Sequence, residues 1–193
     1  MRLHLFDFDG TISKSDSMVD FLKFIHKSHY YFILIKSAPL FLKFHFKMIS
    51  KKEFKSNFLL NFLSKLSKKK LELKAAEFAF QYKEHLKKSA IRHIENLKKD
   101  KNNDISIVSA SLDIWIIPIS DSLGINSITT LTRFNDNLFA GIKGENCWGE
   151  EKVNRIKEFY ELKNYSEIYS YGDSTGDLQM LKLADYKMFK YFD

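Results

Sequence analysis

Along most of the chain, short apolar runs alternate with longer amphipathic stretches. Residues 2–9 (RLHLFDFD), 104–108 (DISIV), 127–131 (SITTL), 167–171 (EIYSY) and 186–190 (YKMFK) are brief, β-rich and bounded by Gly, Asn, Asp or Ser, which predicts strands. Between them, 87–100, 113–123, 150–162 and 176–184 carry apolar residues at helical spacing, as in Val153, Ile156, Phe159 and Tyr160. Strands alternating with helices predict a mostly parallel sheet covered on both faces. The stretch LTRFNDNLFAGIKG, with Asn135, Asp136 and Asn137 at its turn, predicts an antiparallel hairpin appended to that sheet.

Residues 16–86 have a different texture. They are rich in Phe, Leu and Lys, have little turn chemistry apart from SAPL around Pro39, and predict several helices inserted after the first strand. The expected organisation is therefore a core of 1–15 and 87–193 with a small helical domain of 16–86 between.

Composition narrows the class. With 193 residues and 45% apolar content the chain can bury a full core, which argues against disorder. Cys147 is the only cysteine, so no intrachain disulfide can form and a reducing, cytoplasmic setting is expected. The start, MRLHLFDFDG, reaches an aspartate before an apolar signal segment could develop. A net charge of +7, carried mostly by lysine, favours anionic partners without choosing among phosphates, nucleic acid and lipid headgroups. A generally solvated lysine surface accounts for it as well.

The chemistry concentrates at predicted strand ends. In an extended strand, Leu3, Leu5, Asp7 and Asp9 share one face while Phe6 and Phe8 take the other. If that strand is central and parallel, Asp7 lies at the carboxyl end, where open α/β sheets bind ligands, and Gly10 permits a sharp exit beside a bound anion. Two like charges there cost stability unless a cation joins them. Three further pieces follow in order. ISIVSAS ends a strand on Ser109, which with Ala110 offers a hydroxyl and main-chain N–H groups to an anion. GEEKV puts Lys152 in the first turn of a helix, unfavourable for a cation on dipole grounds. IYSYGDSTGD ends another strand with Asp173 and Asp177 four apart. Singly, each has a bland reading as a cap or a surface lysine; the ordered set carries the weight.

That set, DFDGT, SAS, the Lys152 region with LFAGIKGENCWGEEKV before it, and GDSTGD, resembles the haloacid dehalogenase superfamily in its phosphoserine-phosphatase-like branch. The resemblance covers most of the chain and implies a Rossmann-like three-layer core, an inserted helical cap and Mg²⁺-dependent phosphoryl transfer. It implies Asp7 as nucleophile and Asp9 as acid and base, with the Asp7 charge raising the Asp9 pKa. It implies Asp7, the Asp9 carbonyl, Asp173 and Asp177 around Mg²⁺, Asp177 as direct ligand or support. Ser109, Ala110, Gly10 and Lys152 would serve the phosphoryl group. Asp9 also argues for phosphate rather than carbon–halogen chemistry, since dehalogenase members characteristically lack that residue.

Substrate choice is less legible. Asp16 occupies the position where phosphoserine-specific members bind the substrate amine, and equally suits a helix N-cap. No arginine lies between Arg2 and Arg92 to grip a substrate carboxylate, leaving only lysines such as Lys51, Lys52 or Lys55, which argues against phosphoserine. Residues 30–49 are aromatic but interrupted by Lys36, Pro39, Lys43 and Lys47, too broken to span a membrane. They suit either the cap's own core or a membrane interface, where a lipid phosphate of the phosphatidylglycerophosphate type would be the substrate. The expected function is a phosphomonoester phosphatase acting on a small phosphorylated metabolite. The alternatives are a peripheral lipid-phosphate phosphatase and a non-catalytic nucleic-acid-binding protein, the last disfavoured by the absence of interleaved basic and aromatic motifs.

Overall fold

A computed structural model describes residues 1–193 and orders the chain around one six-stranded sheet. The elements run β1 (Arg2–Phe6), α1 (Ser17–His26), α2 (His29–Lys36), α3 (Ala38–His45), α4 (Lys51–Leu63), α5 (Lys68–Gln81), α6 (Lys88–Leu97), β2 (Asn103–Leu112) and α7 (Asp113–Leu123). They continue with β3 (Asn126–Asn135), β4 (Leu138–Lys143), α8 (Glu150–Phe159), β5 (Glu167–Gly172), α9 (Leu178–Leu183) and β6 (Tyr186–Phe189). The strand order is β4-β3-β2-β1-β5-β6, parallel throughout except for the antiparallel β3–β4 pair. This is the expected Rossmann-like α/β sheet, with its hairpin turning at Asp136 and Asn137, both at positive φ.

β1 is central, and its alternation serves two layers. Phe6 and Phe8 enter a large cluster of buried residues with Trp115, Ile116 and Tyr171. Leu3 and Leu5 enter a smaller one with Val108, Ile156 and Met180. From β1 the chain crosses to β2 and β3 on one side and returns to β5 and β6 on the other, so the sheet reverses its winding at β1. Ligands of open α/β sheets bind beyond the strand ends at that reversal.

Helices α1 to α6 fill the connection from β1 to β2, the first five of them within residues 16–86. α4 begins with a full capping box between Ser50 and Glu53, and Ser67 caps α5. α2 and α3 are separated at Ser37, with Pro39 in the first turn of α3. The inserted helices share the larger cluster with the sheet: Phe21, Leu59 and Phe78 belong to it alongside Phe8 and Trp115. Main-chain bonds also fasten them to the hairpin. Lys68 N donates to Asn137 O at 2.7 Å and Phe139 N to Leu66 O at 3.1 Å.

Candidate active site

β1 and β5 are hydrogen-bonded neighbours, with Phe6 opposite Tyr171. Asp7 N donates to Tyr171 O at 2.8 Å, so the residue just past β1 is still held by β5. Asp173 leaves β5 beside it, and a single 3₁₀ turn brings Asp177 back. The carboxylates of Asp7, Asp173 and Asp177 offer oxygens that all lie within 4.8 Å of one another.

Lys152 is the cation among them. It sits in the first turn of α8 yet is fully buried, and its Nζ donates to Asp7 Oδ1 at 2.6 Å, Asp177 Oδ1 at 2.6 Å and Val108 O at 2.7 Å. Its three N–H groups are thereby all spent. Burial works against its charge, but the two carboxylates hold its pKa above the ordinary lysine value. Burial likewise pushes Asp7 up to about 7, against the pull of Lys152. Asp177 ends below the ordinary carboxylate value: burial raises it, and the Lys152 charge with the bonds from Lys152 and Ser174 outweighs that.

The two acids of the GDSTGD turn differ in what they have left to offer. Asp177 Oδ2 accepts from Asp173 N at 3.2 Å, Ser174 N at 2.9 Å and Ser174 Oγ at 2.7 Å, so both of its oxygens are engaged. Asp173 Oδ1 is buried with no partner, and burial together with Asp177 raises its pKa. A buried carboxylate oxygen left alone costs free energy unless something occupies it. Gly10 lies against the same group at φ +84, where an added Cβ would stand 2.2 Å from Asp173 Oδ2. An all-oxygen set with an orphaned member suits a small hard cation such as Mg²⁺.

The Asp9 carboxylate is engaged elsewhere. Its Oδ1 accepts from Ser17 N at 2.6 Å and its Oδ2 from Ser111 Oγ at 2.6 Å. Ser17 Oγ donates in turn to Ser111 Oγ, and Trp115 Nε1 donates to Ser17 Oγ. Burial raises the Asp9 pKa, with Asp16 adding and the serine bonds opposing. The expected push from Asp7 is thus replaced by desolvation under the inserted helices. The Asp9 side chain stands outside the three-carboxylate group, which leaves its main-chain carbonyl as the atom expected to serve a cation.

Ser109 is buried on β2, and its Oγ accepts from Ser111 N at 3.0 Å while keeping its own proton free to donate. β2 runs on to Leu112 instead of stopping near Ser109, because a register shift against β3 between those residues absorbs the turn. The Ala110 carbonyl there accepts from Thr130 Oγ1 and Lys55 Nζ, both at 2.7 Å. Asp16 is exposed and caps α1, accepting from Val19 N at 3.1 Å.

Of the three inserted lysines, Lys51 lies 4.0 Å over the Trp148 ring and Lys52 pairs with Glu145. Lys55 reaches inward to Ala110 O and Asn146 Oδ1, and burial depresses its pKa to about 8. Sequence reasoning missed Thr11, Ser17, Ser111 and Asn146. Thr11 Oγ1 donates to Asp7 Oδ2 at 3.2 Å, and its place in DFDGT was the available signal. Asn146 had none.

A family model described as haloacid dehalogenase-like hydrolase matches residues 4–182. The chain is 29% identical over 190 residues to Protein CicA of Caulobacter vibrioides, spanning 97% of this chain and 85% of that one. A Bordetella pertussis protein with unknown function superposes at TM-score 0.82 and 20% identity, covering 95% of this chain and 86% of that one. A phosphoserine phosphohydrolase-like protein from Francisella tularensis gives TM-score 0.67 at 22% identity, covering 98% and 86%.

Proposed function

The chain belongs to the haloacid dehalogenase-like hydrolases, with the fold of phosphoserine-phosphatase-like members, and on that footing we propose that it is a Mg²⁺-dependent phosphomonoester phosphatase working through an aspartyl-phosphate. The observation that carries this reading is one ammonium, Lys152, joining Asp7 to Asp177 beside the orphaned Asp173 Oδ1. That is a nucleophile fixed in place next to a carboxylate oxygen with no protein partner.

In the first step an Asp7 oxygen attacks phosphorus, an O–P bond forms, and the bond to the leaving oxygen breaks. Asp9, whose pKa burial raises, donates its proton to that oxygen. In the second step Asp9 takes a proton from water as the water attacks phosphorus. The Asp7–phosphorus bond then breaks, releasing inorganic phosphate and restoring both acids. Ser17 N and Ser111 hold the Asp9 carboxyl in one orientation, and Thr11 steadies Asp7. Lys152 neutralises and orients Asp7; with its donors spent, contact with a phosphoryl oxygen would need one of them to be exchanged. Mg²⁺, held by Asp7, Asp173 and the Asp9 carbonyl with Asp177 in support, would offset the charge of an incoming phosphate dianion. Ser109, Ala110 and Gly10 provide the phosphoryl pocket.

We take residues 16–86 as the cap and 1–15 with 87–193 as the catalytic core. A small phosphorylated metabolite is the proposed substrate, and phosphoserine is disfavoured because Lys55, not an arginine, reaches the site. The test is hydrolysis of p-nitrophenyl phosphate with Mg²⁺ by the purified protein. Asp7→Asn, close to isosteric, is expected to abolish it; turnover that survives the change removes Asp7 from the nucleophile role.

A further inference from the structure

The inserted helices were expected to form a core or a membrane interface, and the structure divides their residues between the two. On α2 and α3, Tyr30, Ile33, Leu34 and Leu40 face inward and pack on the main cluster. The opposite side of α2, Leu42 of α3 and the turn after α3 carry another set. Tyr31, Phe32, Ile35, Leu42, Phe46 and Met48 are between 56% and 73% exposed. Seven of the nineteen large apolar residues exposed anywhere in the chain fall within residues 31–48. Exposed apolar side chains scattered singly are ordinary, but a concentration of this kind marks an interaction surface.

The charge around this surface identifies its partner. Residues 21–52 contain seven lysines and no arginine, aspartate or glutamate. Those seven equal the whole net charge of +7, because the other 24 Lys and Arg match the 24 Asp and Glu. Lys36 Nζ lies 4.4 Å over the Phe32 ring, Lys43 is exposed in the last turn of α3 at the margin shared with Leu40 and Asn57, and Lys47 follows α3. A second copy of the chain would bring like charges together. Nucleic acid would leave Ile35, Leu42 and Met48 facing phosphates and sugars, with no arginine to read them. Aliphatic and aromatic groups that enter an acyl boundary, ringed by lysines at headgroup depth, fit an anionic lipid bilayer. No helix is long and apolar enough to cross a membrane, so the contact is one of lying on it.

We propose that α2, α3 and the following turn form a docking surface for an anionic phospholipid bilayer. This inference stands apart from the phosphatase reading, because it is read out by partitioning alone. In cosedimentation, phosphatidylcholine–phosphatidylglycerol vesicles are expected to bind the protein, with pure phosphatidylcholine binding far less and raised salt releasing it. Neutralising Lys36, Lys43 and Lys47 together to Gln is expected to lower partitioning by about 100-fold, at roughly fivefold per lysine. Replacing Phe32, Ile35 and Phe46 by Ser is expected to lower it comparably, while circular dichroism and p-nitrophenyl phosphate turnover stay at wild-type values. As a readout independent of these losses, the emission of Ile35→Trp should shift to the blue when anionic vesicles are added. The proposal is overturned if anionic vesicles fail to bind, if neutral ones bind equally, or if the surface variants partition like wild type. Concentration-dependent dimerisation, or RNA retention, that the same variants abolish while vesicles stay unbound would also overturn it, in favour of those partners.

Discussion

Lys152 Nζ stands 2.6 Å from Asp177 Oδ1, a contact that makes Asp177 a support for the lysine while Asp173, four residues earlier, keeps an oxygen unengaged. The two acids of one turn therefore should fail differently. Asp177→Asn breaks a buried pair and weakens the turn at Ser174, and is expected to cost about 2–3 kcal/mol in urea unfolding. Asp173→Asn removes the charge of a half-buried carboxylate whose Oδ1 has no partner, and should leave stability unchanged or slightly improved. Mg²⁺ should raise the melting temperature of wild type but not of Asp173→Asn, since a ligand stabilises only the state that binds it. An intact Mg²⁺ response in Asp173→Asn would exclude that residue as a ligand.

Gly10 has a sharper constraint than an ordinary turn glycine. Its φ of +84 disfavours any side chain, and the Cβ of alanine would lie 2.2 Å from Asp173 Oδ2. Gly10→Ala is expected to cost about 1–3 kcal/mol and to displace Asp173, lowering kcat/KM by more than about tenfold. The comparison that checks this is Gly124→Ala, where the nearest neighbour of the added atom is the flexible Lys98 ammonium.

Lys55 gives a pH dependence whose sign is fixed. Burial depresses its pKa from 10.5 to about 8 in the folded protein. Between those values the unfolded chain binds more protons, so stability rises as pH climbs from 8 towards 10.5. The rise should amount to about 1–2 kcal/mol in wild type, after allowance for partial solvent access, and be absent in Lys55→Met. Urea midpoints across that range decide it.

His4 gives the opposite edge. It is buried in β1, stacked on Tyr169 at 4.6 Å, and neither ring nitrogen has a partner. Burial lowers its pKa from 6.5 to about 4, with the neighbouring Asn103 opposing and His93 and Arg2 adding smaller contributions. The stability it contributes is present above pH 6.5 and lost as pH falls towards 4. His4→Phe, which keeps the stacking, should flatten that loss; an unchanged acid limb would place the loss in the carboxylates instead.

Much of this architecture was legible in the pattern of residues. The helix at 113–123 and the hairpin at Asp136–Asn137 stand where the spacing puts them, because apolar periodicity and turn chemistry are local signals. Lys152 was flagged by its awkward place at a helix start, and the structure resolves the awkwardness with Asp7 and Asp177. What the sequence hid is what depends on tertiary approach. The extension of β2 past Ser109 requires its register with β3, and the Asp9–Ser17–Ser111–Trp115 network requires α1 to lie over β2. The two-sided use of α2 and α3 was hidden for another reason: inward and outward residues are alike large and apolar, so hydropathy alone could not separate them.

The short ladder between residues 66–68 and 137–139 gives the inserted helices a third anchor besides their two chain connections to the core. A lid tied at its two ends alone can tip as one plate, whereas this one is braced like a truss along its hairpin side. The margin away from that ladder is built from α2 and α3, the helices bearing the aromatic and lysine face. If that face docks as proposed, the bilayer would bear on helices that the ladder does not itself tie down.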